Sequence, residues 1–445
     1  ENSLMNILRE DYGLKVKINL KDKFTGTGKV YGTDEDSSGS TKCDAYIWAI
    51  VNYLEKGRID TKYIAEYMDA FTQDYDGRAI SYIDLNGNYG INGRDYYVAK
   101  NGFFLDLSCF DHYANGKGPN DDPDQGTTQI KLFKAELNEE QPYVLWDYAI
   151  LHRILLYCNI KNNGEPTRVG GYVPFSYKYT EKGTADKLEV TDVGAENQWA
   201  KTYGTYNAFQ AVESPVTNTS IHSKVTLSEK VKNAGNKERA KTAVIEPDTN
   251  YVTVYMGDYD STGWTANFLI QNVVNDSTLG NVPVSIGLFP ILMEKIPMAY
   301  NYICEKIDSL PQEKKDNIYW VAGDNGFGYG NFSLLDDTSD YAIPGLVGSI
   351  ESILTTTADI LNPRGVDIMG FFIITGTQRM RNALAKAFPS GIVYSAGAMM
   401  QGVNLVKGPG IVEEGVPQFY TNGSGVHNDV RVEGLNLVES GTNFT

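Results

Sequence analysis

The chain has 445 residues, of which 42% are hydrophobic and 12% aromatic, and it carries a formal net charge of -17. That length and apolar content suit two or three domains, or one large barrel with a smaller partner domain. The excess of acid argues against nucleic acid or an anionic membrane as partner, because both need a basic face, and no apolar run reaches the length of a transmembrane span. The 30 Tyr and 5 Trp suit stacking on a neutral ligand such as a sugar, and equally suit a β-rich core. The cysteines, Cys43, Cys109, Cys158 and Cys304, are scattered and read as buried thiols rather than as a disulfide or metal set. The 4 His fall in neither HExxH nor HxH spacing, so a zinc hydrolase is disfavoured; no metal and no cofactor are expected. The start at Glu1 suits a processed N-terminus, such as that left by a removed signal peptide.

In chain order, KVKINL (15–20) reads as a short strand, and a Gly/Ser/Thr/Asp loop follows over 26–41. A helix is predicted over 42–55, with Asp44 in its first turn and Gly57 just beyond it. A second is predicted over 61–71, with Asp60 as N-cap. Gly, Asn and Asp crowd 74–95, which reads as a linker. From residue 96 strand-like and helix-like runs alternate. The strands fall at 102–107, 168–175, 208–214, 251–259, 282–289, 317–323, 366–374, 391–396 and 416–420. Helical patterns fall at 128–137, 144–158, 228–232, 291–307, 346–360 and 377–387. Such alternation implies a parallel sheet in an α/β protein. Eight or nine units fit a TIM-barrel-like (β/α)8 domain over 96–445, preceded by a smaller α/β domain over 1–95. A doubly wound open sheet gives the same rhythm, although no GxGxxG follows the first strand.

In a barrel the C-terminal strand ends carry the chemistry. Acids gather there. The stretch YVTVYMGDYDSTGW (251–264) ends in Asp258 and Asp260, which share one side of a strand, and then Trp264. Asp106 closes the 102–107 run, Glu213 the 208–214 run, and Asp324 with Asn325 the 317–323 run. Each acid alone reads most simply as a loop or capping residue. Two segments stand apart. NDDPDQ (120–125) reads first as a helix-capping turn and second as a ligand- or cation-facing loop. GDNGFGYGN (323–331) lacks the Lys and Ser/Thr of a phosphate loop; its glycines and Tyr329 suit a pocket for a flat ligand such as a sugar ring.

These residues resemble the GxGYxYP putative glycoside hydrolase family. Gly326-Phe327-Gly328-Tyr329 matches the opening of the name-giving motif. YVTVYMGDYDSTGW is similar to that family's aspartate turn before Trp, and 95–126 is similar to its FFFDLS strand and NDDP loop. The chain departs at Asn331 and Phe332, which replace the motif's Tyr-Pro, and at Tyr259 and Ser261 within the aspartate turn. The resemblance implies an N-terminal α/β module, a TIM-barrel-like domain, and a secreted or envelope-located bacterial protein acting on carbohydrate. Glycoside hydrolysis needs two facing carboxylates. Asp260 and Asp324 are the expected pair, and Asp258 tunes its neighbour by like-charge repulsion. Trp264 and Tyr329 are the expected stacking walls, Asn325 bonds hydroxyls, and Asp106 and Glu213 stand in reserve. A carbohydrate-binding protein that cuts nothing, with or without a bound cation, is the alternative.

Overall fold

The computed structural model describes residues 4–66, 94–105, 107, 142–170, 202–210, 218–233, 254–256, 262–323, 327–328, 347–348, 350–372, 383–384, 386–395, 412–413 and 416–421. It divides into two compact units, Glu1–Arg58 and Ile59–Thr445.

The first unit holds α1 (Leu4–Glu10) and α2 (Thr41–Ala49), which runs on as a π-helical turn over Ile50–Leu54. Ser40 caps α2 by accepting from the Cys43 N–H at 3.3 Å. The loop before it is held by buried Asp44, which accepts from the Ser37 hydroxyl at 2.7 Å and from the Ser38 N–H at 2.8 Å. The strand expected at 15–20 does not form. Leu14, Val16 and Ile18 alternate as a strand would, but they are exposed and pair with no strand among the described residues. Alternation without a neighbour leaves the backbone groups to water.

The second unit holds two sheets. The smaller is all parallel, in the order β2-β1-β3-β4, built from β1 (Tyr63–Glu66), β2 (Phe103–Leu105), β3 (Thr167–Gly170) and β4 (Ala208–Gln210). Strand β1 corrects the helix expected at 61–71. Its Tyr-Ile-Ala run finds β2 on one side and β3 on the other, and two strand partners outweigh a weak helical pattern. Asp60 does accept a backbone N–H, from Lys62 at 2.9 Å, but that closes a turn rather than capping a helix. Register puts Tyr63, Arg168 and Phe209 side by side on one face. Two residues along, Ala65, Phe104 and Gly170 continue that face, and the Tyr97 ring of α3 (Arg94–Ala99) lies on it. A Cβ on Gly170 would sit 2.0 Å from that ring, so only glycine admits it. Helix α4 (Pro142–Lys161) follows, with Leu151, Ile154, Leu155 and Cys158 buried at helical spacing.

The larger sheet has seven strands in the order β10-β11-β9-β8-β7-β6-β5. They are β5 (Val254–Met256), β6 (Val284–Leu288), β7 (Ile318–Ala322), β8 (Ile368–Phe372), β9 (Gly391–Ser395), β10 (Val412–Glu413) and β11 (Val416–Thr421). Every pairing is parallel except β10 with β11. Between the sheets in sequence lies α5 (Thr219–His222). An 11-residue π-helix, α6 (Trp264–Val274), follows β5. Then come α7 (Pro290–Lys295), α8 (Pro297–Asp308), α9 (Gln312–Lys315) and α10 (Ile350–Leu361). The single helix expected over 291–307 breaks at Ile296, because Pro297 cannot supply the N–H that would continue it. The helix expected at 228–232 is a run of turns instead. There Asn233 takes a strand's place: its side chain donates to the Trp320 carbonyl at 2.6 Å and accepts from the Trp320 N–H at 2.7 Å. That accounts for β7 meeting β8 only at Ala322 and Met369. The core gathers Ile286, Leu288, Trp320 and Met369 from the strands with Ile291, Tyr300, Ile303, Leu354 and Phe388. No helix among the described residues is long and apolar enough to cross a membrane.

The strands expected around a single ring are therefore shared between two sheets, β2 to β4 in one and the later strands in the other. Alternating strand and helix patterns report parallel pairing, and they do not report which strands share a sheet. The linker expected at 74–95 lies outside the described residues up to 93, and its last two residues open α3 instead; the helix at 128–137 and most of the helix at 377–387 also lie outside them.

Candidate functional site

Parallel strands end along one edge, so β5, β6 and β7 bring their C-terminal ends together. Register is tight there: Met256 is level with Ile286, and Ile286 with Trp320. Strands β5 and β7 flank β6, two inter-strand spacings or about 10 Å apart. Of the residues expected to form the site, Asp106, Glu213, Asp258, Asp260, Asp324, Asn325 and Tyr329 lie outside the described residues, as does the 120–125 loop. Trp264 opens α6, and its side chain is also outside them.

What is described is the ground on which this edge stands. Beyond β7, the Gly323 N–H donates to the Leu288 carbonyl at 3.1 Å. A Cβ on Gly323 would lie 2.4 Å from the Phe289 ring, so the backbone can pass there only without a side chain. Phe327, in the centre of the Gly-Phe-Gly motif, is fully buried. Its carbonyl accepts from the Ile291 N–H in the first turn of α7 at 3.1 Å. Its ring lies 6.0 Å from that of Phe209 and 4.9 Å from the Arg168 guanidinium carbon. The apolar residue among the motif's glycines is thus an anchor pointing inward.

Arg168 reaches this position from β3. Its Nε and Nη2 donate to the two oxygens of Glu294 at 2.9 and 2.7 Å, and its Nη1 donates to the Pro166 carbonyl at 2.7 Å. Burial alone would pull the guanidinium pKa down; the hydrogen bonds and charge of Glu294 outweigh that and raise it. Lys295, next along α7, is fully buried, with Nζ 3.3 Å from the Tyr97 hydroxyl and 4.7 Å from the centre of that ring. Burial pulls its pKa well below the ordinary lysine value, opposed by the charge of Asp95. Asp95 is tied in turn to the Thr219 hydroxyl at 3.0 Å and the Ser220 N–H at 2.7 Å. None of Arg168, Glu294, Lys295 and Phe327 was expected at the site. A charge at the head of the apolar 168–175 run is the local sign of Arg168; Glu294 and Lys295 sit in an ordinary helical pattern, and Phe327 reads equally as a sugar platform.

Burial pulls His152 down to about 3, so it is neutral, and its Nδ1 meets the Tyr206 hydroxyl. Cys158 and Cys304 are buried thiols pushed up to about 12 by burial, and Cys43 in the first unit is a buried thiol as well. Among the described residues no group of three or more His, Cys, Asp or Glu could hold a metal ion.

No curated protein matches the chain. One solved structure that it resembles is a putative hydrolase from Bacteroides thetaiotaomicron VPI-5482, at 13% identity and a TM-score of 0.47, covering 79% of this chain and 50% of that one. The chain thus spans half the length of that structure. Residues 248–402, which hold both the aspartate turn and the Gly-Phe-Gly segment, match the family model of the GxGYxYP putative glycoside hydrolase C-terminal domain, the family to which the motifs pointed.

Proposed function

We propose that the protein hydrolyses glycosidic bonds in a poly- or oligosaccharide through paired carboxylates, Asp260 and Asp324. The observation that carries this reading is the family match over 248–402, which spans both acids. Sheet register supports the pairing: Asp260 is four residues beyond Met256 and Asp324 four beyond Trp320, and those two residues stand on one rung. Their strands are about 10 Å apart, and carboxylates that flank a glycosidic bond sit roughly 5–10 Å from each other. One acid protonates the leaving oxygen; the other attacks the anomeric carbon or activates water, and Asp258 raises its neighbour's pKa. Trp264 and Tyr329 stack on sugar rings, and Asn325, Asp106 and Glu213 take hydroxyls. The consecutive parallel order β5 to β9 supports a barrel-like arrangement in this half of the chain, and the compact unit Glu1–Arg58 takes the part of the smaller N-terminal module. We further propose a secreted or envelope location in a bacterium, a reading that rests on the family resemblance alone.

The departures at Tyr259, Ser261, Asn331 and Phe332 favour one other reading, a carbohydrate-binding protein that cuts nothing. A panel of oligosaccharides and 4-nitrophenyl glycosides, scored for binding and for product release, separates the two. Product from any member supports hydrolysis; binding without product supports the second reading and overturns the first.

A further inference from the structure

The four-stranded sheet has no acid assigned to the reaction among its described residues, yet one of its side chains reaches the motif loop. We propose that Arg168 is a positioning residue for the 323–328 loop, and that the small sheet holds this loop in place through it. Three contacts bracket the loop. Gly323 is seated under Phe289 with its N–H on the Leu288 carbonyl. The Phe327 carbonyl is held by the Ile291 N–H. The Phe327 ring packs against both Phe209 and the Arg168 guanidinium. The first two contacts come from the β6 exit and from α7, which grows out of it. The third comes from β3, and Glu294 at the far end of the same helix locks it.

The chemistry of arginine suits the task. Two donors on Glu294 and a third on Pro166 fix the guanidinium, and its carbon is held over the Phe327 ring. A lysine would keep the charge but lose the plane. The Arg168 side chain is 13% exposed, so its attraction to the ring is little screened. Resting on the reading above, in which Asp324 is one of the reacting acids, this clamp sets where the chain enters and leaves the segment carrying Asp324 and Asn325.

The test uses the full chain and hydrogen–deuterium exchange of peptides covering 288–293 and 318–328. It compares Arg168→Met, Arg168→Lys and, as a control beside the same sheet, Asn162→Ala. Asn162 bonds Thr61 and Thr167 at 3.0 and 2.9 Å and takes no part in the clamp. Exchange in both peptides is expected to rise about tenfold in Arg168→Met and less in Arg168→Lys, and to stay at the parent rate in Asn162→Ala. Parent-like exchange in Arg168→Met, or the same rise in Asn162→Ala, overturns the positioning role. On the 4-nitrophenyl glycoside that the parent cleaves fastest, kcat should fall about tenfold in Arg168→Met with KM within about twofold, because the bound sugar keeps its contacts while the acid is misplaced. Faster exchange with an unchanged kcat overturns the link to the reaction. If the parent cleaves no glycoside, the hydrolase reading fails, and exchange alone decides whether Arg168 holds the loop.

Discussion

Replacing Phe327 with leucine keeps an apolar side chain in the motif loop and removes its ring. Among the described residues that ring has two ring or cation partners, Phe209 at 6.0 Å and the Arg168 guanidinium at 4.9 Å. An aromatic pair contributes about 0.5–1.5 kcal/mol beyond its buried area, and a desolvated cation over a ring about 1–2 kcal/mol. The Phe327→Leu chain should therefore lose roughly 2–3 kcal/mol. The cation's share is isolated by a double-mutant cycle with Arg168→Met. That single change also strands Glu294, whose side chain is 34% exposed and recovers part of its hydration, so its cost lies below the roughly 3–5 kcal/mol of a fully buried broken pair. The cycle cancels this cost and leaves a coupling of about 1–2 kcal/mol between positions 168 and 327. Urea unfolding of the four chains, followed by tryptophan fluorescence and by circular dichroism, measures it. A coupling below about 0.3 kcal/mol, the level at which independent sites add, refutes the stacked geometry.

Three further outcomes follow from single contacts. Gly323→Ala forces a Cβ to within 2.4 Å of the Phe289 ring and should cost about 1–3 kcal/mol, recovered in part by Phe289→Leu; an unchanged urea midpoint sinks the crowding argument. Asn233→Ala orphans the N–H and carbonyl of Trp320 and should cost about 2–3 kcal/mol, seen as a lower thermal midpoint, whereas a midpoint equal to the parent's means that water replaces the amide at no cost. His152 is neutral when folded because burial takes its pKa from 6.5 to about 3. The unfolded chain gains that proton below about pH 6.5 and the folded chain does not, so this contribution is complete above that pH. It falls by up to about 1.4 kcal/mol per pH unit as the solution is acidified toward pH 3. His152→Gln should remove one proton from the slope of stability between about pH 4 and pH 6, and an unaltered slope contradicts its burial as the neutral form.

The parallel strands were legible in the sequence because short apolar runs alternate with helical patterns; each of the nine predicted after residue 96 overlaps a strand of the structure. What escaped was the grouping. Strand β1, read as a helix from Thr61 onward, seeds the smaller sheet, and only tertiary pairing with Phe103 and Val169 reveals it. Pro297 is the visible sign that 290–308 holds two helices, although a single apolar stripe runs through both. At the site, the acids stood out as charges at strand exits. Phe327 did not, because a lone aromatic in a glycine loop reads equally as a sugar platform and as an anchor, and its burial decides for the anchor. Arg168 and Glu294 lie 126 residues apart, beyond the reach of any local pattern.

The most direct test of the central claim is kcat/KM for the Asp260→Ala and Asp324→Ala chains on the glycoside that the parent cleaves fastest. The account predicts that each loses about two to four orders of magnitude while still unfolding like the parent, since each removes an acid, base or nucleophile from the reaction. Full turnover by both variants would contradict it.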